Sequence, residues 1–419
     1  MTTEIHDNAL ALFQLPELEV GTLKKEWISV RPTNQLTEGA SVEFNVPGTS
    51  MTYIDLKDTL LHIKLKIIKA DGTNIEVADK VGLTNNPLHS IFSQVDVNVQ
   101  QHPTSEVGTN YPYKAYFDQL FDTTNQHDLD CSLFVEDEGG NAMSDTDPAG
   151  ANNGLYTRTF YTSLSKEIDL LGRLSVDLCQ QDRLILNGVP INIKLWQSSD
   201  AFRLSAASDA TEKYKVRITE ASLKVSYVKV NPSVIIGHSD ALKTTEALYP
   251  YTRSVVKTYA VPQGQFSFIT DDLFQGEVPQ QLIVGIVQSA AVHGNYFKNP
   301  FNFENFNCNY AGFFVDGQST PFEPLQPNYK SDQFVDAYQR LYWDNKERAV
   351  HVSKKDFKDG YCLYVFRPSG DAEERSSERA HTRLELKFSE ALISTCTVLV
   401  YAKFPALMKI DASRSVTLE

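Results

Sequence analysis

The stretch LLHIKLKIIKADGTNIEV, residues 60–77, decides the fold class. Leu61, Ile63, Leu65 and Ile67 alternate with His62, Lys64 and Lys66, so an extended chain puts its apolar side chains on one face and its polar ones on the other. Asp71-Gly72 follows, a pair that tolerates the positive φ of a tight hairpin turn. The design recurs in RLILNGVPINIKLW (183–196), where Asn187-Gly188 is expected to divide two short strands. There Ile191, Ile193 and Leu195 face one way, and Asn192 and Lys194 the other.

Working outward, FSQVDVNVQ (92–100) turns Val95, Val97 and Val99 inward, and KVRITEASLKVSYVKV (215–230) does the same with Ala221, Leu223, Val225 and Tyr227. QLIVGIV, AGFFVDG, YCLYVF, TRLELKF and STCTVLVYAKF continue the series to residue 404. Many short strands separated by turn residues predict an all-β chain of antiparallel sandwiches. Helices are expected in two connections. In YPYKAYFDQLF (111–121), Pro112 suits a first turn and Tyr113, Tyr116, Phe117 and Leu120 form a stripe; in SDQFVDAYQRLYW (331–343), Ser331 or Asp332 is the expected cap.

The order of parts repeats. SVEFNVPGTSMTYIDL (41–56) is echoed by SVVKTYAVPQGQFSFITDDLF (254–274), each with a strand ending in Val-Pro and a glycine just beyond. The offsets are 214 residues from Val42 to Val256, 218 from Val97 to Val315 and 222 from Tyr116 to Tyr338. Such near-constancy predicts a duplicated unit. Each half is also expected to close on paired strands. The expected organisation is an N-terminal arm over 1–22, a first sandwich over 23–230, a linker over 231–245, a second sandwich over 246–410 and a tail over 411–419. Two polar stretches, EDEGGNAMSDTDPAGANNG (136–154) and SGDAEERSSERAH (369–381), read as exposed loops toward an outer surface or a subunit edge.

A chain of 419 residues suits two domains, each large enough to fold without disulfides or metals. Its net charge of −14, from 39 Lys and Arg against 53 Asp and Glu, argues against a surface given over to phosphate backbones and confines direct nucleic-acid contact to a local basic patch. Cys131, Cys179, Cys308, Cys362 and Cys396 are far apart and odd in number, as expected of buried thiols in a reducing compartment. The opening MTTEIHDNALALF lacks the sustained apolar core of a signal peptide, and no apolar run approaches a membrane span, so no transmembrane segment is expected. Leu10, Leu12 and Phe13 suit an arm that orders on assembly.

Chemistry is sparse. Phosphate-loop, dinucleotide, zinc-protease and nucleophile-elbow motifs are missing, and the nine histidines lack ligand spacing. His62 reads as a solvated residue on a polar strand face. Glu136 to Asp147 holds oxygen ligands without the spacing of a calcium loop. Asp271 and Asp272 read as a turn rather than a catalytic pair. YFKNPFNFENFNCNYAGFF (296–314) interleaves Phe with Asn, so the rings are expected in a core or an intersubunit groove while the amides satisfy backbone groups; a sugar-stacking platform is the rival. No catalytic residue, metal or cofactor is expected, and the chain is not expected to be an enzyme.

NYPYKAYFDQLF (110–121), DLLGRLSVDLCQQDRLILNGVPINIKL (169–195), YFKNPFNFENFNCNYAGFFVDGQSTPFEPLQPNY (296–329) and RLELKFSEALISTCTVLVYAKF (383–404) together resemble the double jelly-roll capsid protein family of polinton-like and adomavirus-like DNA viruses and elements of eukaryotes. The resemblance covers about residue 20 to 410. It implies tandem jelly rolls with short helices in the connections, and a homotrimeric, pseudo-hexagonal capsomer that tiles an icosahedral shell with penton or minor capsid proteins. The implied location is the virion, assembled in the host nucleus or cytoplasm. Tyr111, Pro112, Tyr113, Phe301, Phe303, Asp316 and Gly317 match its recognisable blocks, with no interface role assigned. The long tower insertions of larger members are missing. Alternatives are a minor capsid or domesticated scaffold protein, and a carbohydrate-binding or glycan-processing β-sandwich.

Overall fold

A computed structural model describes residues 21–104, 108–210, 213–321, 323–343, 348–368 and 380–419. The first half supplies β1 (Thr22–Val30), β2 (Val42–Val46), β3 (Thr52–Lys69), β4 (Val81–Leu83), β5 (Phe92–Val99), β6 (His102–Pro103), β7 (Ile168–Arg173), β8 (Ile191–Gln197), β9 (Leu204–Ala206) and β10 (Tyr214–Val230). The second supplies β11 (Ala247–Val261), β12 (Ser267–Asp271), β13 (Gln281–Gln288), β14 (Cys308–Val315), β15 (Gln318–Ser319), β16 (Leu363–Phe366), β17 (Thr382–Phe388), β18 (Cys396–Ile410) and β19 (Val416–Leu418).

Two four-stranded sheets, β1-β10-β3-β7 and β2-β8-β5-β6, make the first sandwich; β11-β18-β13-β16 and β12-β17-β14-β15 make the second. The strands enter the two pairs of sheets in the same chain order, so the eight-stranded jelly roll occurs twice. β4 pairs with β9 in a small separate sheet, and β19 adds to β18. Leu61, Ile63 and Leu65 of β3 lie opposite Leu223, Ala221 and Ile218 of β10. Val95, Val97 and Val99 of β5 lie opposite Leu195, Ile193 and Ile191 of β8. All these side chains are buried, each worth about 1.5–3 kcal/mol for the larger aliphatics, and a one-residue slip would turn either set toward water.

The repeat is real, but the Val-Pro echo aligned the wrong strands. Val42 lies in β2, whose counterpart by sheet order is β12, whereas Val256 lies in β11, the counterpart of β1. Val-Pro marks the end of a strand because proline cannot donate to a ladder, and it says nothing of which strand ends. Nor is the offset constant. β1 and β11 start at 22 and 247 but β10 and β18 start at 214 and 396, since the first half is longer through its middle, most of all between β6 and β7. The closing strands are not paired either. β10 is one long strand with two bulges, and β17 and β18 belong to opposite sheets.

Both expected hairpins turn where the sequence says, at Gly72 (φ 91) and Gly188 (φ 75), yet neither returns as a ladder. Asn74 makes an isolated bridge to Ile68, and Ile185 one to Ile54. The exposed partners β3 and β8 would have found there are taken by β10 and β7, and by β2 and β5. The helix at Tyr111–Phe121 has the predicted bounds, with Pro112 in its first turn. The other is shorter, Val335–Arg340, and begins after Phe334 with no side-chain cap; Ser331 closes a 3₁₀ turn under Asn328 instead. Sequence reading missed the helices Gln126–Ser132, Asn153–Thr162 and Pro232–Ala241, the last inside the expected polar linker. Asn231 caps that helix through Ser233 N–H at 3.1 Å and Pro232 opens it.

Residues 1–20, with Leu10, Leu12 and Phe13, and residues 369–379 lie outside the described residues. The other polar stretch, 136–154, is not an exposed loop. Asp137, Ala142, Met143 and Asn152 are buried. The segment is strapped to the second half by Gly139 N–H on Asp356 Oδ1 at 3.2 Å and Gly140 N–H on the Asp359 carbonyl at 2.6 Å. Its polar composition is spent on internal hydrogen bonds: Asp145 accepts from the N–H groups of Asp147 and Ala151 at 3.0 and 2.8 Å.

Candidate functional site: the seam between the sandwiches

The helix Tyr111–Phe121 crosses from the first sandwich onto the second, and almost every face of it is buried. Tyr116 stacks on Phe301 with ring centroids 4.3 Å apart. Tyr113 meets Phe301 and Phe202 edge-on at 5.7 and 6.0 Å, and Phe117 packs between Phe303 and Tyr401 at 5.5 and 5.4 Å. The Asn residues of 295–307 do what their spacing suggested. Asn299 Oδ1 accepts from Phe301 N–H at 3.0 Å while its amide donates to the Met143 carbonyl at 3.2 Å, and the Asn305 amide donates to the Lys358 carbonyl at 2.9 Å. Phe301 and Phe303 thus enter the chain's own core; Phe297 of the same segment stays exposed.

A helix buried all round leaves Lys114 no route to water. Its ammonium lies 2.5 Å from Asp118 and 3.2 Å from Asp177. Burial, the largest influence on it, favours the neutral amine, but the two carboxylates more than reverse this and hold it above the ordinary lysine range. Asp118 is likewise buried. Lys114, Ser175, Gln180 and Tyr401 all donate to it, the last two at 2.9 and 2.8 Å, and these partners with the Lys403 charge outweigh desolvation and hold its pKa low. Asp177 Oδ2 accepts from Ser254 N–H in β11 at 2.7 Å. Asp122, one turn on, pairs with Lys403 of β18 at 2.8 Å, yet burial keeps its pKa raised.

A second buried pair lies nearby. Arg158 donates to the carbonyls of Leu83 and Val135 at 2.9 and 2.8 Å and to Asp137 Oδ1 at 2.6 Å. Asp137 then reaches the second half, accepting from the Asn299 amide at 3.1 Å and, on its carbonyl, from the Tyr361 hydroxyl at 2.9 Å. A buried charge pair adds little net stability, yet removing one partner of it is strongly destabilising. Both pairs tie the first half to the second, Asp118 and Asp177 through Tyr401 and Ser254, and Asp137 through Asn299 and Tyr361.

Of the residues singled out in the sequence, Tyr111, Pro112, Tyr113, Phe301 and Phe303 are buried at or beside this seam. Tyr111 bonds His89 Nδ1 at 2.9 Å. Asp316 and Gly317 are elsewhere, at the β14–β15 turn with φ of 50° and 80°, where Asp316 exchanges hydrogen bonds with His381 at 2.7 and 2.9 Å. His62 lies on the polar face as expected but is partly buried, held between Ser222 and Asp169. Asp272 takes φ 51° as the expected turn, and Asp271 lies 3.7 Å from Arg383. The charged members of the seam were missed. Their signal was a Lys and an Asp four apart inside an aromatic stripe, which has meaning only when the helix is known to be buried on every side. Among the described residues no group of three or more His, Cys, Asp or Glu side chains could hold a metal ion, and no helix is long and apolar enough to cross a membrane.

No family model matches the chain. An uncharacterised Caenorhabditis elegans protein, F54H12.2, is 22% identical over 424 residues, covering 96% of this chain and 98% of that one. Among solved structures, a chain of the Sputnik virophage aligns over 99% of this chain and 92% of its own with a TM-score of 0.65 at 12% identity. The faustovirus major capsid protein gives 0.59 at 10% identity, over 96% and 92% of the two chains. The mavirus major capsid protein gives 0.55 at 12%, over 100% and 94%. At such low identity it is the path of the backbone that is shared, and along nearly its whole length this chain resembles the double jelly-roll major capsid proteins of viruses such as Sputnik, PBCV-1, mavirus and faustovirus.

Proposed function

We propose that the chain is a structural shell subunit of the major capsid type. The observation that carries this reading is the repetition of one strand order in two sandwiches joined by a buried, charge-pinned seam. Such a block presents two similar sides per chain, so three chains around an axis present six and can occupy a sixfold lattice position. Its work is association, in which many contacts of modest strength sum to a stable shell. The proposed units are an arm over 1–22, a sandwich over 23–230 and another over 246–410, with the tail 411–419 adding β19 to the edge of the second. Its partners are copies of itself and then penton or minor capsid proteins, and its place is the virion, with assembly in the host nucleus or cytoplasm. Direct contact with nucleic acid belongs to a local patch, given the net charge of −14.

A second reading, a shell-derived scaffold kept by an animal, is favoured by the C. elegans relative that matches from end to end. A sugar-binding platform at 296–314 is disfavoured by the burial of Phe301 and Phe303. Negative-stain imaging of the purified protein tests the main reading. Ring-like trimers or closed shells support it, and particles of single chains with every candidate partner present count against it.

A further inference from the structure

The helix Asn153–Thr162 has an inner face that explains itself and an outer face that does not. Leu155, Arg158 and Thr162 are buried beneath it, and Arg158 is the anchor described above. A surface helix ordinarily turns polar residues outward. Here Tyr156 is 58% exposed, Phe160 66% and Tyr161 44%, and Leu164 just beyond the helix is 57% exposed. Leu164 also holds φ at 57°, a left-handed conformation that a bulky side chain rarely adopts.

We propose that this face is a contact surface for a second copy of the same chain, an inference that rests on the shell-subunit reading. Two observations select that occupant. The first is charge. Each copy carries −14, so copies repel unless they meet where charge is lacking, and from 153 to 165 the single charged residue is Arg158, buried against Asp137. The exposed charges that border it, Glu138 bonded to Asn153 at 2.8 Å and Lys166 and Glu167 beyond Leu164, lie toward its ends and carry both signs. The second is area. The four exposed side chains offer on the order of 400–500 Å² of apolar surface, about half of the roughly 800 Å² per partner in a standard stable interface. Loss of that share breaks an association whose remaining area is marginal. The face is also rigid, since Arg158 ties it through Asp137 to Asn299 and Tyr361 in the second half.

The test compares the full-length chain with its Tyr156→Ser, Phe160→Ser double variant by sedimentation velocity, with hydrogen exchange across 153–165 in the unsubstituted protein. The expected result is an oligomer for the unsubstituted chain, with exchange at 156–164 slowing as concentration rises. The variant is expected to fall to the 47.1 kDa single chain with its melting temperature unchanged. A variant that keeps the oligomer, or a face that exchanges equally fast in monomer and oligomer, overturns the surface and leaves the shell reading standing. A face protected only by a different added protein overturns the second copy as its occupant. An unsubstituted chain that stays single at every concentration overturns both proposals.

Discussion

The ring of Phe301 lies flat on the ring of Tyr116, centroids 4.3 Å apart and planes 5° from parallel, and by that contact the second sandwich rests on the crossing helix of the first. Phe301 also meets Tyr113 and Phe202, so its removal opens a hole in the seam rather than in either sandwich. Phe301→Ala is expected to cost about 3–5 kcal/mol, with both halves still unfolding in one transition at a lower denaturant midpoint. Phe297→Ala, exposed on the same segment, is expected to stay within about 0.5 kcal/mol.

Lys114→Met strands Asp118 and Asp177 as buried carboxylates without their cation. The expected loss is about 3–5 kcal/mol at pH 7. Burial already pushes the Asp118 pKa up, and without Lys114 the strongest charge opposing that is gone, so the variant's deficit shrinks as pH falls and Asp118 takes up a proton. Denaturation at pH 7 and pH 5 checks this; a deficit that grows on acidification contradicts it.

His89 is buried against Tyr111, and burial lowers its pKa from 6.5 to about 4. The folded state therefore binds this proton less readily than the unfolded one, and stability drains away as pH drops from about 6.5 toward 4, by about 3 kcal/mol in all. His89→Gln removes the titration. Its stability curve is expected to be flatter than the parent's across that window.

Much of the fold was legible because strand alternation and turn chemistry are local. Leu61 to Ile67, Val95 to Val99 and the helix Tyr111–Phe121 needed no knowledge of their partners. What failed was relational. The Val-Pro echo could not say which strand it ended, the Asn-Gly turn could not say that Ile185 would find Ile54, and Glu136–Gly154 looked soluble because its hydrogen bonds were invisible. The cap signal Asn231-Pro232-Ser233 was present but read as a boundary. Lys114 could be understood only once both of its carboxylates were in view.

Gly285 of β13 faces Phe303 inside the second sandwich, just behind the seam. A Cβ there would sit 2.6 Å from Phe303 Cδ1 and 2.8 Å from Leu363 Cδ2. Gly285→Ala is expected to cost about 1–3 kcal/mol by overpacking, and Phe303→Leu in the same chain is expected to return part of it in a double-mutant cycle. Purely additive effects would mean that the two sites do not touch.

Four of the five thiols are buried, and burial lifts Cys179 and Cys362 to about 12 and Cys308 and Cys396 to about 11. Cys131 is partly exposed beside His127. A thiol reagent at pH 8 is expected to modify one cysteine in the native protein and the other four on unfolding.

Native mass measurement of the full-length protein over rising concentration bears most directly on the shell-subunit reading. The predicted result is a species of three chains that dominates as concentration increases; a 47.1 kDa chain that remains solitary at the highest concentration, with candidate shell partners added, would contradict it.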